Sequence, residues 1–166
     1  HEKQVFINRF QRDAENRVTA VRREMQMNVD LVQSIASFHA SGEVVERKKF
    51  RQLVAKPMAR HPGVLSLQWA PRVAAAERAA FEEKERQDGQ PGFEIREKSN
   101  QGMELVRAAD REEYFPVRFL EPFGPNAPAQ GFDVLSNPEL RDELIMARDS
   151  GRPAASRKIK LFQGGE

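Results

Sequence analysis

DREEYFPVRF at residues 110–119, GFD at 131–133 and ARDSG at 147–151 are the three stretches that decide the fold. The first is apolar and aromatic and predicts a strand over 114–120. Pro116 cannot donate a ladder hydrogen bond, so it indicates an edge position or a bulge. The second stretch predicts a tight turn that leads into a helix. The third predicts the end of that helix, because Gly151 suits the left-handed conformation that follows many helices.

The flanking segments extend this pattern. Ser136 and Glu139 form a Ser-x-x-Glu capping box, which predicts a helix that runs to Asp149. Residues 154–162 alternate between polar and apolar side chains and predict a strand. Residues 121–130 hold three prolines and predict a loop. The elements expected upstream are a helix over 43–59, a strand over 64–70, a helix over 74–87, a short strand over 93–96, and a polar loop over 99–109 with one helical turn at 103–106.

The strand over 64–70 shows the alternation of a half-buried strand. Leu65, Leu67 and Trp69 are expected to share its buried face, and Trp69 is expected to anchor the core. Strands and helices that are segregated in this way predict an α+β fold with an antiparallel sheet.

The N-terminal 40 residues predict one long helix, because no Pro or Gly lies between Glu2 and Ser41. Seven residues recur at alternating spacings of three and four, which is a heptad seam: Val18, Val21, Met25, Asn28, Val32, Ile35 and His39. Two interpretations stay open, pairing with a second copy in a homodimer and packing on the chain's own domain. In a dimer, Asn28 would fix the register.

Composition excludes several classes of function. The net charge is +2 and the 27 basic residues are interspersed with 25 acidic ones, which argues against a nucleic-acid-binding face. The chain has no Cys, so disulfides, thiolate metal sites and a cysteine nucleophile are excluded. The apolar runs are too short for a transmembrane helix. The chain begins at His1 without a Met, and we expect it to be an excised fragment or a trimmed product.

No motif indicates an enzyme, a metal or a cofactor. The three histidines are scattered, and neither a Gly-rich phosphate loop nor a serine nucleophile elbow is present. The acidic residues of the helix over 74–87 and those at 112–113 are interpreted as solvated faces rather than as paired catalytic carboxylates; in the helix they include Glu82, Glu83 and Glu85.

An ordered set of segments between about residues 40 and 163 resembles the CHASE domains. The segments are Phe50–Leu53, His61–Val64, Leu67–Val73, Glu77–Arg78 with Phe81–Glu82, Gly92–Ile95, Tyr114–Val117, Gly131–Asp133 and Ala147–Gly151. The resemblance implies a stalk helix over residues 1–41, followed by a PAS-like antiparallel sheet with flanking helices over 42–166. Members of the family normally continue with further apolar strands. We therefore expect the ligand-sensing part to be incomplete at its C-terminal end.

The resemblance also implies a set of ligand-binding residues. Asp133 matches an aspartate that hydrogen-bonds the adenine-type ring in the plant cytokinin receptors, although a turn or helix-cap acid is an equal alternative. Ala155 falls near a pocket-lining position. Tyr114, Phe115 and Phe162 are expected as apolar walls of the pocket or, equally, as core.

The function implied by the resemblance is sensory. The chain would be the periplasmic or extracellular domain of an inner-membrane receptor, with a histidine kinase or diguanylate cyclase as output. Its partners would be a small-molecule ligand, with purine-like compounds as one class, and a second copy of the chain bound through the N-terminal helix. The alternative is a protein-interaction module without a small-molecule ligand, and an enzyme is the third choice.

Overall fold

The computed structural model describes residues 2–40, 45–100 and 104–157, and the side chains from Val5 onward within the first range. Within these ranges the helices are α1 (Glu2–Ala40), α2 (Arg47–Arg60), α3 (Arg78–Gln87), α4 (Phe123–Asn126) and α5 (Arg141–Ser150). The strands are β1 (Leu67–Trp69), β2 (Val73–Ala74), β3 (Arg96–Lys98), β4 (Leu105–Arg107), β5 (Glu113–Tyr114) and β6 (Phe119–Glu121). Single turns of 3-10 helix cover Ala75–Glu77, Ala127–Ala129 and Val134–Ser136. The predicted α+β class, with a long N-terminal helix followed by antiparallel strands and helices, is confirmed.

The described strands form three separate antiparallel pairs. β1 pairs with β6, β2 with β5, and β3 with β4. The strand predicted over 114–120 is therefore divided between two pairs. Pro116 lies between them, in an isolated antiparallel bridge with Asp133. A residue without an N–H cannot continue a ladder, which accounts for the division at this point.

Helix α1 has two parts with different surroundings. Every side chain from Val5 to Gln26 is exposed. Nearer the C-terminal end, Leu31 is only 8% exposed, and Ile35 packs against the buried cluster of Val45, Phe50, Val54 and Phe119. The two interpretations of the heptad seam therefore meet in one helix, since its last turns pack on the chain's own domain and its earlier turns present apolar residues to solvent.

Trp69 joins α1 to the rest of the fold. Its ring packs against the same cluster, and the His39 ring lies 4.5 Å from it, edge-on. Trp69 is thus partly buried and packs against the core, in agreement with its predicted role as an anchor. Leu65 is 67% exposed, so the expectation that it shares a buried face with Trp69 is wrong. The ladder of β1 begins only at Leu67, and Leu65 therefore lies outside the alternation that pairing imposes.

Three further element predictions are wrong. The expected polar loop over 99–109 contains strand β4, which overlaps the helical turn expected at 103–106. Residues 101–103 lie outside the described residues. The short strand expected over 93–96 begins only at Arg96, whereas Phe93 and Ile95 are buried in the core beside Tyr114. Residues 121–130, predicted as a loop, hold α4 and one 3-10 turn.

The C-terminal helix begins later than predicted. Ser136 does not cap it, because the Ser136 hydroxyl donates to the Asp133 carbonyl at 2.6 Å and the residue belongs to the 3-10 turn. Helix α5 starts at Arg141 and ends at Ser150, and the φ of 64° at the following Gly151 confirms the predicted left-handed cap. Residues 154–157 form no strand, and residues 158–162 of the predicted strand lie outside the described part of the chain.

Candidate functional site

The Gly131-Phe132-Asp133 turn is fixed by backbone contacts on two sides. The Arg96 N–H donates to the Gly131 carbonyl, and the Asp133 N–H donates to the Arg96 carbonyl, each at 2.8 Å. A Cβ on Gly131 would lie 2.3 Å from the Glu94 carbonyl oxygen, and the φ of Gly131 is 78°. Only glycine fits both conditions. The turn therefore holds Asp133 beside β3 with little freedom to shift.

The Asp133 carboxylate is fully buried and takes part in three hydrogen bonds. Its Oδ1 accepts from the backbone N–H of Phe115 at 2.8 Å and from that of Leu135 at 3.2 Å. Its Oδ2 accepts from Arg111 Nη1 at 2.9 Å. The bond to Leu135 caps the 3-10 turn. A single side chain thus connects the segment after β5, the turn before α5 and a charged partner.

Arg111 is shared between two carboxylates. It also forms an ion pair with Glu97, whose Oε1 accepts from the Ala109 N–H at 3.1 Å. Burial raises the pKa of Asp133. The hydrogen bonds from Phe115 and Leu135 and the charge of Arg111 offset that rise only in part, and the charge of Glu97 adds to it. The cluster of Asp133, Glu97 and Arg111 therefore carries an excess of negative charge in a region with little solvent.

Tyr114 and Phe115 lie next to this cluster but face different surroundings. Tyr114 is 1% exposed and packs with Val73, Phe93 and Ile95 in a core cluster. Its hydroxyl accepts from Arg78 Nη1 and from the Arg111 N–H, both at 3.1 Å. Phe115 is half-buried, and its N–H is the donor to Asp133.

The structure brings Asp133, Tyr114 and Phe115 together and leaves Ala155 exposed, whereas Phe162 lies outside the described residues. The assignment of these five residues to a ligand pocket stays a prediction.

Sequence reasoning missed Arg111 and Glu97, the two residues that complete the charged cluster. A buried aspartate requires a cation or several N–H donors, so a partner could have been expected in general terms. The chain has 27 basic residues, and the one that pairs with Asp133 is selected by a contact between residues 22 positions apart. The sequence pattern around residue 111 holds no signal of that contact.

The acidic face predicted for α3 is also different from expectation. Glu83 is exposed, but Glu82 and Glu85 are buried at 3% and 1% exposure. Glu82 accepts from Arg78 Nε and from the Ile95 N–H, and Glu85 accepts from Arg118 Nε at 2.6 Å. These carboxylates are structural partners of the buried Arg78 and the partly buried Arg118. Their pairing positions α3 against β3 and β6.

Comparisons of the sequence with known proteins identify its family. None of the helices in the described ranges is long and apolar enough to cross a membrane. Among curated proteins, none matches the sequence at a significant level. The family model described as "CHASE domain" matches residues 43–166, and CHASE domains are extracytoplasmic sensory domains rather than catalytic ones. The matched range covers the predicted resemblance and most of the 166 residues, and the chain therefore belongs to the CHASE domain family.

Proposed function

We propose that this chain is the ligand-sensing domain of a membrane-anchored receptor, which lies in the periplasm or outside the cell. Small-molecule binding would be passed to a cytoplasmic output domain such as a histidine kinase or a diguanylate cyclase. Residues 1–41 would form the stalk and dimerisation helix, and residues 42–166 the sensing part. The observation that carries the proposal is the match to the CHASE family over residues 43–166, which is a sensory family.

The Asp133 cluster supports a binding role at this position. Its carboxylate is held in a setting that raises its pKa, so the charged form is kept at a cost to stability. Perturbed ionisable groups of this kind are concentrated at functional sites. A ligand with N–H donors, as in a purine ring, would compensate the excess negative charge of Asp133 and Glu97. Tyr114, Phe115, Ala155 and Phe162 remain the proposed neighbours of such a ligand.

Binding at Asp133 would be coupled to a change in conformation. The side chain has no exposed surface, so a ligand must displace a group that now covers or bonds it. Its Oδ1 also holds the N–H groups of Phe115 and Leu135. A ligand that takes over one of these contacts would shift the 3-10 turn ahead of α5. Ligand binding transmits a signal only through different affinity for two such states.

The N-terminal helix supports a homodimer as the signalling unit. Val18, Val21 and Met25 are all more than half exposed, and they lie on the predicted heptad seam. Two parallel copies of α1 would bury these residues against each other and place both domains on the same side. The dimer would in this way join two sensing parts through one pair of N-terminal helices.

A thermal-shift screen tests the ligand-sensing proposal. Purines, amino acids and organic acids are added one at a time to the 166-residue chain. A ligand that binds only the folded state adds about 2.7 kcal/mol of stability when its concentration is a hundredfold its dissociation constant. We expect a ligand that raises the melting temperature of the wild type and of Asp142→Asn, an exposed matched control, but not that of Asp133→Asn. A broad library without any ligand for the folded dimer would contradict the proposal.

The second candidate function is a protein-interaction module without a small-molecule ligand. The observations that favour it are the exposed apolar residues of α1 and the bonds that the protein's own groups already make to Asp133. A screen without ligands, together with a stable dimer or complex formed through α1, would select this function instead.

A further inference from the structure

A cleft separate from the Asp133 cluster lies where α2 begins. It has a volume of about 440 Å³, within the ordinary range for small-molecule sites. Its walls come from the start of α2, from α3 and from β6; the residues that carry the argument are Arg47, Lys48, Lys84, Arg118 and Phe119. The cleft thus joins three elements, and α2 in turn packs on α1.

Two guanidinium groups approach one aromatic ring in this cleft. The guanidinium carbon of Arg118 lies 4.7 Å from the centre of the Phe119 ring, and that of Arg47 lies 5.1 Å from it. Arg118 is paired with the buried Glu85 at 2.6 Å. Burial lowers the pKa of Arg47; the charge of Glu85 opposes this shift, and the positive charge of Arg118 adds to it. Glu121 also opposes the shift and Arg51 adds to it, so Arg47 is a half-buried cation whose charge is only partly compensated.

The start of α2 carries positive side chains that its helix dipole disfavours. The helix begins with Arg47, Lys48 and Lys49, and its first turn holds no acidic residue. Cations at a helix N-terminus oppose the positive end of the helix dipole. Glu46, at the N-cap, makes no side-chain cap hydrogen bond. A helix of 14 residues that begins in this way, at the wall of a cleft, is suited to a bound anion.

Two of the three acidic residues that line the cleft are paired with cations. Glu85 is paired with Arg118, and Asp88 accepts from Lys84 Nζ at 2.9 Å. Glu46 is exposed to solvent. The cations that remain for a ligand are Arg47 and Lys48, which lie on the same side of the cleft at consecutive positions of α2.

We propose that this cleft binds a small anion that carries a carboxylate or a phosphate group, held by Arg47 and Lys48 at the N-terminus of α2. Phe119 and Val45 supply an apolar floor beside the charged group. This ligand is an anion, whereas the one expected at Asp133 is recognised through its N–H donors. The site therefore stands independently of the proposed function, and its position next to α1 would allow an anion to stabilise the joint between stalk and domain.

The test is a titration of the isotope-labelled 166-residue chain, followed by backbone amide shifts in NMR spectra. Inorganic phosphate and succinate are used separately, at an ionic strength held constant with sodium chloride. We expect saturable shifts centred on Arg47, Lys48 and Phe119 with at least one probe. Tighter binding of phosphate would identify phosphate as the preferred group, and tighter binding of succinate would identify carboxylate.

Three variants make the titration decisive. Because charge-assisted hydrogen bonds to Arg47 are expected to hold the anion, Arg47→Gln should weaken binding about tenfold. Lys48→Gln, at an exposed position that does not endanger folding, should weaken it about threefold. Arg60→Gln removes the same charge from the other end of α2 and should leave binding unchanged. Shifts that do not saturate, or that are equal in all variants, would overturn the proposal.

Discussion

Asp133 shows how one side chain serves both the fold and the proposed function. Its Oδ1 satisfies two backbone N–H groups that would otherwise lack partners, and its Oδ2 pairs with Arg111. The alternative interpretations of Asp133 as a turn cap and as a ligand-binding acid are therefore compatible. The cap is visible in the structure, and ligand binding is the proposal built on it.

Asp133→Ala should destabilise the fold by about 3 kcal/mol, because it leaves two backbone donors without their acceptor and removes one of the two carboxylates paired with Arg111. The free energy of unfolding is measured by urea denaturation. The matched control is Asp142→Ala, an exposed aspartate in the first turn of α5, which should cost less than about 1 kcal/mol. Equal losses in the two variants would show that the contacts of Asp133 contribute little.

The dependence of stability on pH should distinguish Asp133 from Glu82. The folded state raises the pKa of Asp133, so it binds that proton more readily than the unfolded state does. Relative to Asp133→Asn, the wild type should gain stability as the pH falls through the raised folded-state pKa. The gain should level off below the unfolded-state value, near 3.8.

Glu82 provides the comparison of opposite sign. Burial alone would raise its pKa, but the hydrogen bonds from Ile95 and Arg78 and the charge of Arg107 outweigh burial and lower it. Relative to Glu82→Gln, the wild type should keep its advantage above the unfolded-state pKa, near 4.5, and lose it as the pH falls through the folded-state pKa. Urea denaturation at several pH values measures the stability of the wild type relative to Asp133→Asn and relative to Glu82→Gln. The assignment would be contradicted if both differences in stability changed with pH in the same direction.

At the scale of elements, α1 is divided at about Met27. The residues before this point are exposed, whereas Leu31 and Ile35 pack on the domain. A seam that is regular in sequence thus packs on the domain near its C-terminal end and is exposed to solvent before that. The heptad pattern predicted the apolar stripe but not this division, since the spacing of apolar residues does not indicate which partner covers them.

Val18→Lys should weaken self-association by about tenfold or more, because it places a charge on the proposed seam. Sedimentation at several protein concentrations measures the effect. Asn16→Lys adds the same charge on the opposite side of the helix and should leave association unchanged. A wild type that stays monomeric at high concentration would contradict the dimer, as would two variants that behave alike.

The start of α5 shows where local sequence rules fail. Ser136 and Glu139 fit a capping box, but Ser136 donates to the Asp133 carbonyl and the helix begins at Arg141. The buried Asp133 fixes the 3-10 turn and with it the conformation of Ser136. In contrast, Gly151 was predicted correctly, because the left-handed cap depends on the residue itself rather than on a distant contact.

At the scale of the whole molecule, the α+β class and most of the helices follow from sequence, whereas strand pairing does not. β4 was predicted as loop because a run of three residues carries no alternation, and its ladder depends on β3. Arg111 and Arg47 were likewise not recognised, since each acquires its role from residues far away in the chain. Long-range contacts account for what sequence reasoning missed in both the fold and the candidate sites.

The contact between His39 and Trp69 has a practical consequence. The chain holds a single Trp, and that Trp lies at the joint where α1 leaves the domain. Fluorescence excited selectively in tryptophan would therefore report on this one position. The emission maximum and lifetime of Trp69 would follow a movement of α1 at this joint in real time, so the protein carries its own optical probe without an added dye.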